Sequence, residues 1–179
     1  MMTRLLLSTL LLAALPAMAF EVDSPQLQAG QPMAKAQEYN GFGCNGGNVS
    51  PALHWQHAPA GTRSFAVTVY DPDAPTGSGW WHWVLFNLPA GTSSLPAGAG
   101  NPGGALPAGS MQSRTDYGTP GFGGACPPPG DKPHRYIFTV HALKVDKLEL
   151  GADSSPALVG YMLNANSLGK ATLTTLYGR

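Results

Sequence analysis

Two short polar clusters hold the side chains in this sequence best suited to chemistry. The first is Asp71-Pro72-Asp73-Ala74-Pro75 with His82 soon after, and the second is Pro127-Pro128-Pro129-Gly130 followed by His134-Arg135-Tyr136. Two prolines around two carboxylates preset the backbone, so the carboxylates leave the turn in a fixed direction. Taken alone, an Asp-Pro pair means an ordinary Asx turn ending a strand, and that plain reading is the stronger one for this motif by itself. His82 stands between Trp81 and Trp83 in a run that should be buried, where both ring nitrogens need partners. A carboxylate from the preceding turn would serve, and so would a backbone carbonyl, the commoner case for a lone histidine on an apolar strand. His134 carries the same ambiguity.

Imidazoles and a phenol donate hydrogen bonds to phosphate-type oxygens, and the glycine-rich segment before residue 130 offers backbone N–H groups with no side chain in the way. Beside an anion, the aspartates would hold the imidazoles protonated or meet the ammonium of a zwitterionic head group. The same two histidines and two aspartates would also suit a divalent metal, which keeps a metal-dependent hydrolase as the weaker alternative. Neither a G-x-S-x-G elbow nor an H-E-x-x-H motif is present to supply a nucleophile or a metalloprotease base. No cofactor is expected, and catalysis is not.

The elements that must position these residues read as strands. Residues 64–70 alternate and stop at Asp71-Pro72, as a half-buried strand would; residues 80–87 are apolar nearly throughout, as a strand covered on both faces would be; residues 135–143 form a third. Weaker strand candidates lie at 21–28, 33–36, 53–55 and 171–176. Residues 89–130, rich in Gly, Pro, Ala and Ser, have no period of either kind and are expected as extended loop, with 98–109 a surface segment that tolerates shortening. One helix is expected from the N-cap Ser155 and Pro156, packing Leu158, Tyr161, Met162, Ala165 and Leu168 inward and ending at Gly169.

Charged residues make up 11% of the chain and the formal net charge is zero, so no basic face is available for nucleic acid. The 23 glycines and 17 prolines suit short strands joined by tight turns rather than a helical bundle. Met1-Met2-Thr3-Arg4, the apolar run 5–15 and Pro16-Ala17-Met18-Ala19 have the layout of a secretory signal, with cleavage expected after Ala19. The run is too short to span a bilayer. A single mature domain of residues 20–179 without a transmembrane segment follows, in the periplasm or secreted. Cys44 and Cys126 are an even count in an exported chain, which favours a disulfide over free thiols.

Four motifs in order, Asn48-Val49-Ser50-Pro51-Ala52-Leu53-His54-Trp55, Asp71-Pro72-Asp73-Ala74-Pro75, Trp80-Trp81-His82-Trp83-Val84 and Cys126-Pro127-Pro128-Pro129-Gly130 through Tyr136, resemble the phosphatidylethanolamine-binding protein family, in its bacterial Raf kinase inhibitor-like branch. The resemblance implies a mostly β fold, with a large central antiparallel sheet, a second smaller sheet and a shallow pocket for phosphate-like groups. It carries pocket roles onto Asp71, Asp73, His82, His134 and Tyr136, with Cys126 and Pro127 in the wall, and it places the loops of Cys44 and Cys126 near that pocket. The run Thr119-Pro120-Gly121-Phe122-Gly123-Gly124-Ala125 is longer than in the animal branch, a departure that bears on the pocket rim. The expected function is therefore an exported protein that binds a small phosphate-bearing or anionic ligand. Inhibition of an envelope or extracellular protease or another protein is the alternative. A protein partner in the envelope and a homodimer stay open.

Overall fold

The computed structural model describes residues 18–179, so most of the expected leader lies outside the described residues. Among the described residues no helix is long and apolar enough to cross a membrane. The strands are β1 (Glu21–Asp23), β2 (Asn40–Gly41), β3 (Cys44–Asn45), β4 (Leu53–Gln56), β5 (Ser64–Asp71), β6 (Trp80–Pro89), β7 (Ser94–Leu95), β8 (Met111–Gln112), β9 (His134–Leu143) and β10 (Ser167–Tyr177), with one helix, α1 (Pro156–Asn166), before the last. The large sheet is antiparallel in the order β10-β9-β5-β6-β8; β1-β4-β7 form a smaller sheet, and β2-β3 a separate hairpin.

The main core fills the space between the two larger sheets. Trp55 of β4 packs on Phe65, with Val67, Val69, Phe138 and Val140 from the large sheet. A second apolar cluster lies on the opposite face, where Val159 and Leu163 of α1 cover Ala66, Val84, Phe86 and Leu143. The large sheet is thus buried on both faces at its centre. That corrects the half-buried reading of β5: its polar side, Ser64 and Thr68, is as buried as its apolar side, because Ala66 between them lies under the helix, Ser64 Oγ donates to Val145 O and Thr68 Oγ1 meets His141.

Of the stripe expected to face inward, only Met162 packs against the second cluster. Leu158 and Tyr161 are 45% and 70% exposed, while Pro156, Val159 and Leu163 are buried. Both sets have helical spacing, and apolar residues lie nearly all round this helix, so period alone does not choose between them. The helix also stops at Asn166, whose side chain donates to Met162 O, and the chain passes straight into β10; Gly169 sits at a register shift in that strand. Residues 33–36 form no strand and lead into a single 3-10 turn, Lys35–Gln37.

Residues 98–109 are not a free surface loop at their start. Ala99 is buried, Asn101 Oδ1 accepts from Ser50 N, and Asn101 Nδ2 donates to Asn48 O. A Cβ at Gly100 would lie 2.7 Å from the Trp83 ring and 2.9 Å from Phe122 Cβ. Apolar periodicity misses such a segment because it packs backbone, not side chains, onto the core. Gly100→Ala is expected to destabilise the fold by about 1–3 kcal/mol through overpacking. Urea unfolding reads this directly, and an unchanged midpoint would show that Trp83 and Phe122 yield freely.

Candidate functional site

The end of β5, the start of β6 and the start of β9 meet at one end of the large sheet, because β5 runs antiparallel to both neighbours and pairs Asp71 with Trp80 and Tyr70 with Ile137. Asp71, the last residue of β5, is buried. Its Oδ1 accepts from Asp73 N at 2.8 Å and Ala74 N at 3.1 Å, which is the plain Asx turn. Its Oδ2 accepts from His134 Nδ1 at 2.8 Å, so the same carboxylate that closes the turn also orients an imidazole from β9. His134 Nε2 lies 3.5 Å from Asp131 Oδ2.

His82 enters from β6. Its Nδ1 donates to the carbonyls of Gly123 and Gly124, at 2.8 and 3.1 Å, so its partner is the backbone rather than a carboxylate. Burial drives this imidazole below the ordinary histidine range, against the opposing pull of those carbonyls and of the Asp71 and Asp116 charges. The neutral form therefore holds at pH 7, with its proton on Nδ1 and a lone pair on Nε2. That Nε2 is buried and has no hydrogen-bond partner among the described residues. The Tyr136 hydroxyl and Trp80 Nε1 are also buried and unpartnered. Burial raises the Tyr136 and Tyr117 phenols well above their usual range, so both stay protonated.

These groups line a cavity of about 160 Å³. Its polar side is Asp71, His82, His134 and Tyr136, and its apolar walls include Pro75, Trp80, Cys126, Pro127 and Pro128. Among the described residues that line it there is no lysine or arginine. The rim is aromatic: Tyr117 stacks on Tyr39 at 4.1 Å between ring centres and faces Phe42 at 5.7 Å, and Phe42 is 70% exposed. A disulfide from Cys44 to Cys126 fastens the hairpin that carries Phe42 to the cavity wall.

Asp73 does not join this cavity. Its carboxylate receives the Arg135 backbone N–H and two guanidinium N–H groups, at 2.7 to 2.9 Å, and this pairing holds its carboxyl down at about 2. The turn thus sends its two carboxylates in opposite directions, one inward to His134 and one outward to Arg135. The glycine N–H groups are also engaged elsewhere: Gly123 N donates to His82 O and Gly124 N to Asn48 Oδ1. These glycines serve close approach, since a Cβ at Gly124 would stand 2.3 Å from Gln37 O. Among the described residues, no group of three or more His, Cys, Asp and Glu side chains is placed to hold a metal ion.

The family model for phosphatidylethanolamine-binding protein matches residues 23–178. The chain belongs to the phosphatidylethanolamine-binding protein family. Among its relatives, the UPF0098 protein YbcL of Escherichia coli is 56% identical over 90% of this chain and 88% of its own length. The crystal structure of that protein, described as a new member of the mammalian PEBP family, superposes with a TM-score of 0.88 over 89% of this chain and 98% of its own. YbhB of the same organism is 49% identical over 86% of this chain and 97% of its own. LppC of Mycobacterium tuberculosis, named as a lipoprotein, is 35% identical over 74% of this chain and 61% of its own.

The pocket of this phosphatidylethanolamine-binding protein family member also uses residues that sequence reading did not single out. Trp80 was legible only as part of a strand. Tyr117 had an indirect signal, since the ring needs the side-chain-free surface of Gly123, where a Cβ would come within 2.3 Å. Phe42 had none, because its place on the rim depends on the disulfide and on a left-handed backbone of φ 53°.

Proposed function

We propose that this chain is an exported binding protein whose pocket takes a small phosphate-type anion, without chemical conversion of it. The observation that carries the reading is the set of three buried, unpartnered polar atoms among the lining residues, His82 Nε2, the Tyr136 hydroxyl and Trp80 Nε1. Each unpaired buried polar group costs roughly 1–3 kcal/mol, which a ligand with matching atoms recovers. Two of the three donate to anionic oxygens, whereas neutral His82 Nε2 accepts. A phosphate group carrying one proton offers both kinds of atom at once. Export is supported by the leader-like residues 1–19, by the disulfide and by the likeness to a protein named as a lipoprotein. Phe20, the first residue after the expected cleavage point, packs against Phe65 at 6.3 Å between ring centres, so the remaining chain would begin on the folded surface.

Calorimetric titration with phosphoethanolamine, a monoester with its second ionisation near pH 6, tests this against the diester glycerophosphoethanolamine, which lacks that ionisation. The monoester is expected to bind more tightly as pH falls from about 7.5 to 5.5, as its one-proton form becomes dominant. The diester should stay weak over that range, because burial keeps His82 neutral below the ordinary histidine range. His82→Ala should weaken monoester binding by about 1–3 kcal/mol, roughly five- to 150-fold. His57→Ala, outside the pocket, should leave it unchanged. Equal, pH-independent binding of both ligands, or wild-type affinity in His82→Ala, would overturn the assignment. The intact mass of protein from the envelope fraction tests export, which requires a chain beginning at Phe20.

A further inference from the structure

Helix α1 covers only part of the outer face of the large sheet. Beyond Leu163 the sheet offers residues that alternate with those of the main core, so that Tyr136, Phe138 and Val140 point inward while Ile137, Thr139 and His141 point to this outer face. Together with Thr68, Tyr70 and Trp81 they bound a cavity of about 210 Å³ between helix and sheet, on the opposite side of the sheet from the main core.

Three features set this cavity apart from an ordinary uncovered sheet face. The first is His141, which is buried: its Nε2 is 3.1 Å from Thr68 Oγ1, and its Nδ1 has no partner among the described residues. With the threonine hydroxyl donating to Nε2, Nδ1 carries the proton and is a donor left without an acceptor. Burial holds this imidazole neutral, at about 3. The second is Gly160. Glycine is a poor residue for a helix interior, and here packing does not demand it, since a Cβ would sit in ordinary contact, 4.0 Å from the Trp81 ring. A larger side chain at this position would project into the cavity that Gly160 lines. The third is charge. Lys170 is paired with His141 in register across β9 and β10, its Nζ donates to Asn164 Oδ1, and among the described residues no acidic one lines the cavity. Trp81 and Tyr70, 4.6 Å apart, form an aromatic wall.

We propose that this cavity is a second ligand site, independent of the His82 pocket, for a small aromatic carboxylate whose ring lies against Trp81 beneath Gly160 and whose carboxylate meets Lys170 and His141. A phosphate ester is the poorer fit, because the lining provides a single cation, Lys170, beside the aromatic wall of Trp81 and Tyr70.

Titration of ¹⁵N-labelled mature protein with benzoate, followed by amide chemical shifts, tests the site, with benzyl alcohol as the uncharged counterpart. Saturable shifts are expected at Gly160, Leu163, Lys170 and Thr172, and saturating inorganic phosphate should leave them unchanged. Gly160→Leu fills the space and should abolish them. Lys170→Gln, at an exposed position, should weaken benzoate roughly fivefold and leave benzyl alcohol unaffected. If Gly160→Leu fails to fold, the lysine variant decides alone. Absence of saturable shifts at these residues, their loss in phosphate, or equal benzoate binding by wild type and Lys170→Gln would overturn the proposal.

Discussion

Replacing Cys44 and Cys126 together by serine is expected to lower the free energy of unfolding by about 4 kcal/mol, because the bridge closes a loop across 82 positions and its loss frees the unfolded chain. The same change should weaken ligand binding. Cys44 opens β3 in the hairpin that presents Phe42, and Cys126 lies in the cavity wall. Phe42 sits in the left-handed region, a conformation that costs a non-glycine residue roughly 1–2 kcal/mol and persists only when its surroundings hold it. Without the bridge Phe42 keeps its packing against Tyr39 and Tyr117, and its hairpin keeps the β2–β3 pairing and the Arg179 Nη1 hydrogen bond to Gly43 O. Denaturant unfolding of the oxidised protein, the reduced protein and the double serine variant separates the contributions. Coincident curves would show that the bridge adds nothing to stability.

Acid is expected to weaken the fold before most carboxylates titrate. His141 is held at about 3, against 6.5 for a free histidine, by burial first and by Lys170 second. Since the folded value is depressed, its stabilising contribution is complete above about 6.5 and is lost progressively as pH falls toward 3. Each unit in that window removes about 1.4 kcal/mol, or roughly 2–3 kcal/mol between pH 6.5 and 4.5. His82, depressed for the same reason, acts in the same direction. Asp73 does not contribute there, because its own loss begins only below 3.8. His141→Gln keeps a partner for Thr68 and cannot titrate, so its unfolding midpoint should fall less steeply over this window. Parallel pH profiles for the two proteins would show that His141 is not held neutral in the fold.

The strands at 64–70, 80–87 and 135–143 were legible because their apolar character is local and ends in clear breakers. The family likeness supplied the sheet arrangement, which no local pattern contains. What the sequence hid depends on partners far along the chain. His82 takes its partners from Gly123 and Gly124, Asp73 takes Arg135, and Gly100 takes Trp83 and Phe122. A carboxylate between two prolines shows that a direction is preset, but which direction follows from the register of β5 against β9. The helix face was lost for a related reason: two apolar stripes compete on α1, and only the sheet beneath selects one.

The strand order has a consequence for how the chain reaches this state. β5 lies at the middle of the large sheet, with β6 on one side and β9 on the other, and β9 comprises residues 134–143. As the polypeptide emerges from its amino end, the β5–β6 hairpin forms early, while the other side of β5 keeps an unpaired row of backbone groups flanked by apolar side chains until those residues arrive. From roughly two fifths to three quarters of the way along the emerging chain the protein therefore exposes a sticky edge, and folding to completion waits for the last quarter.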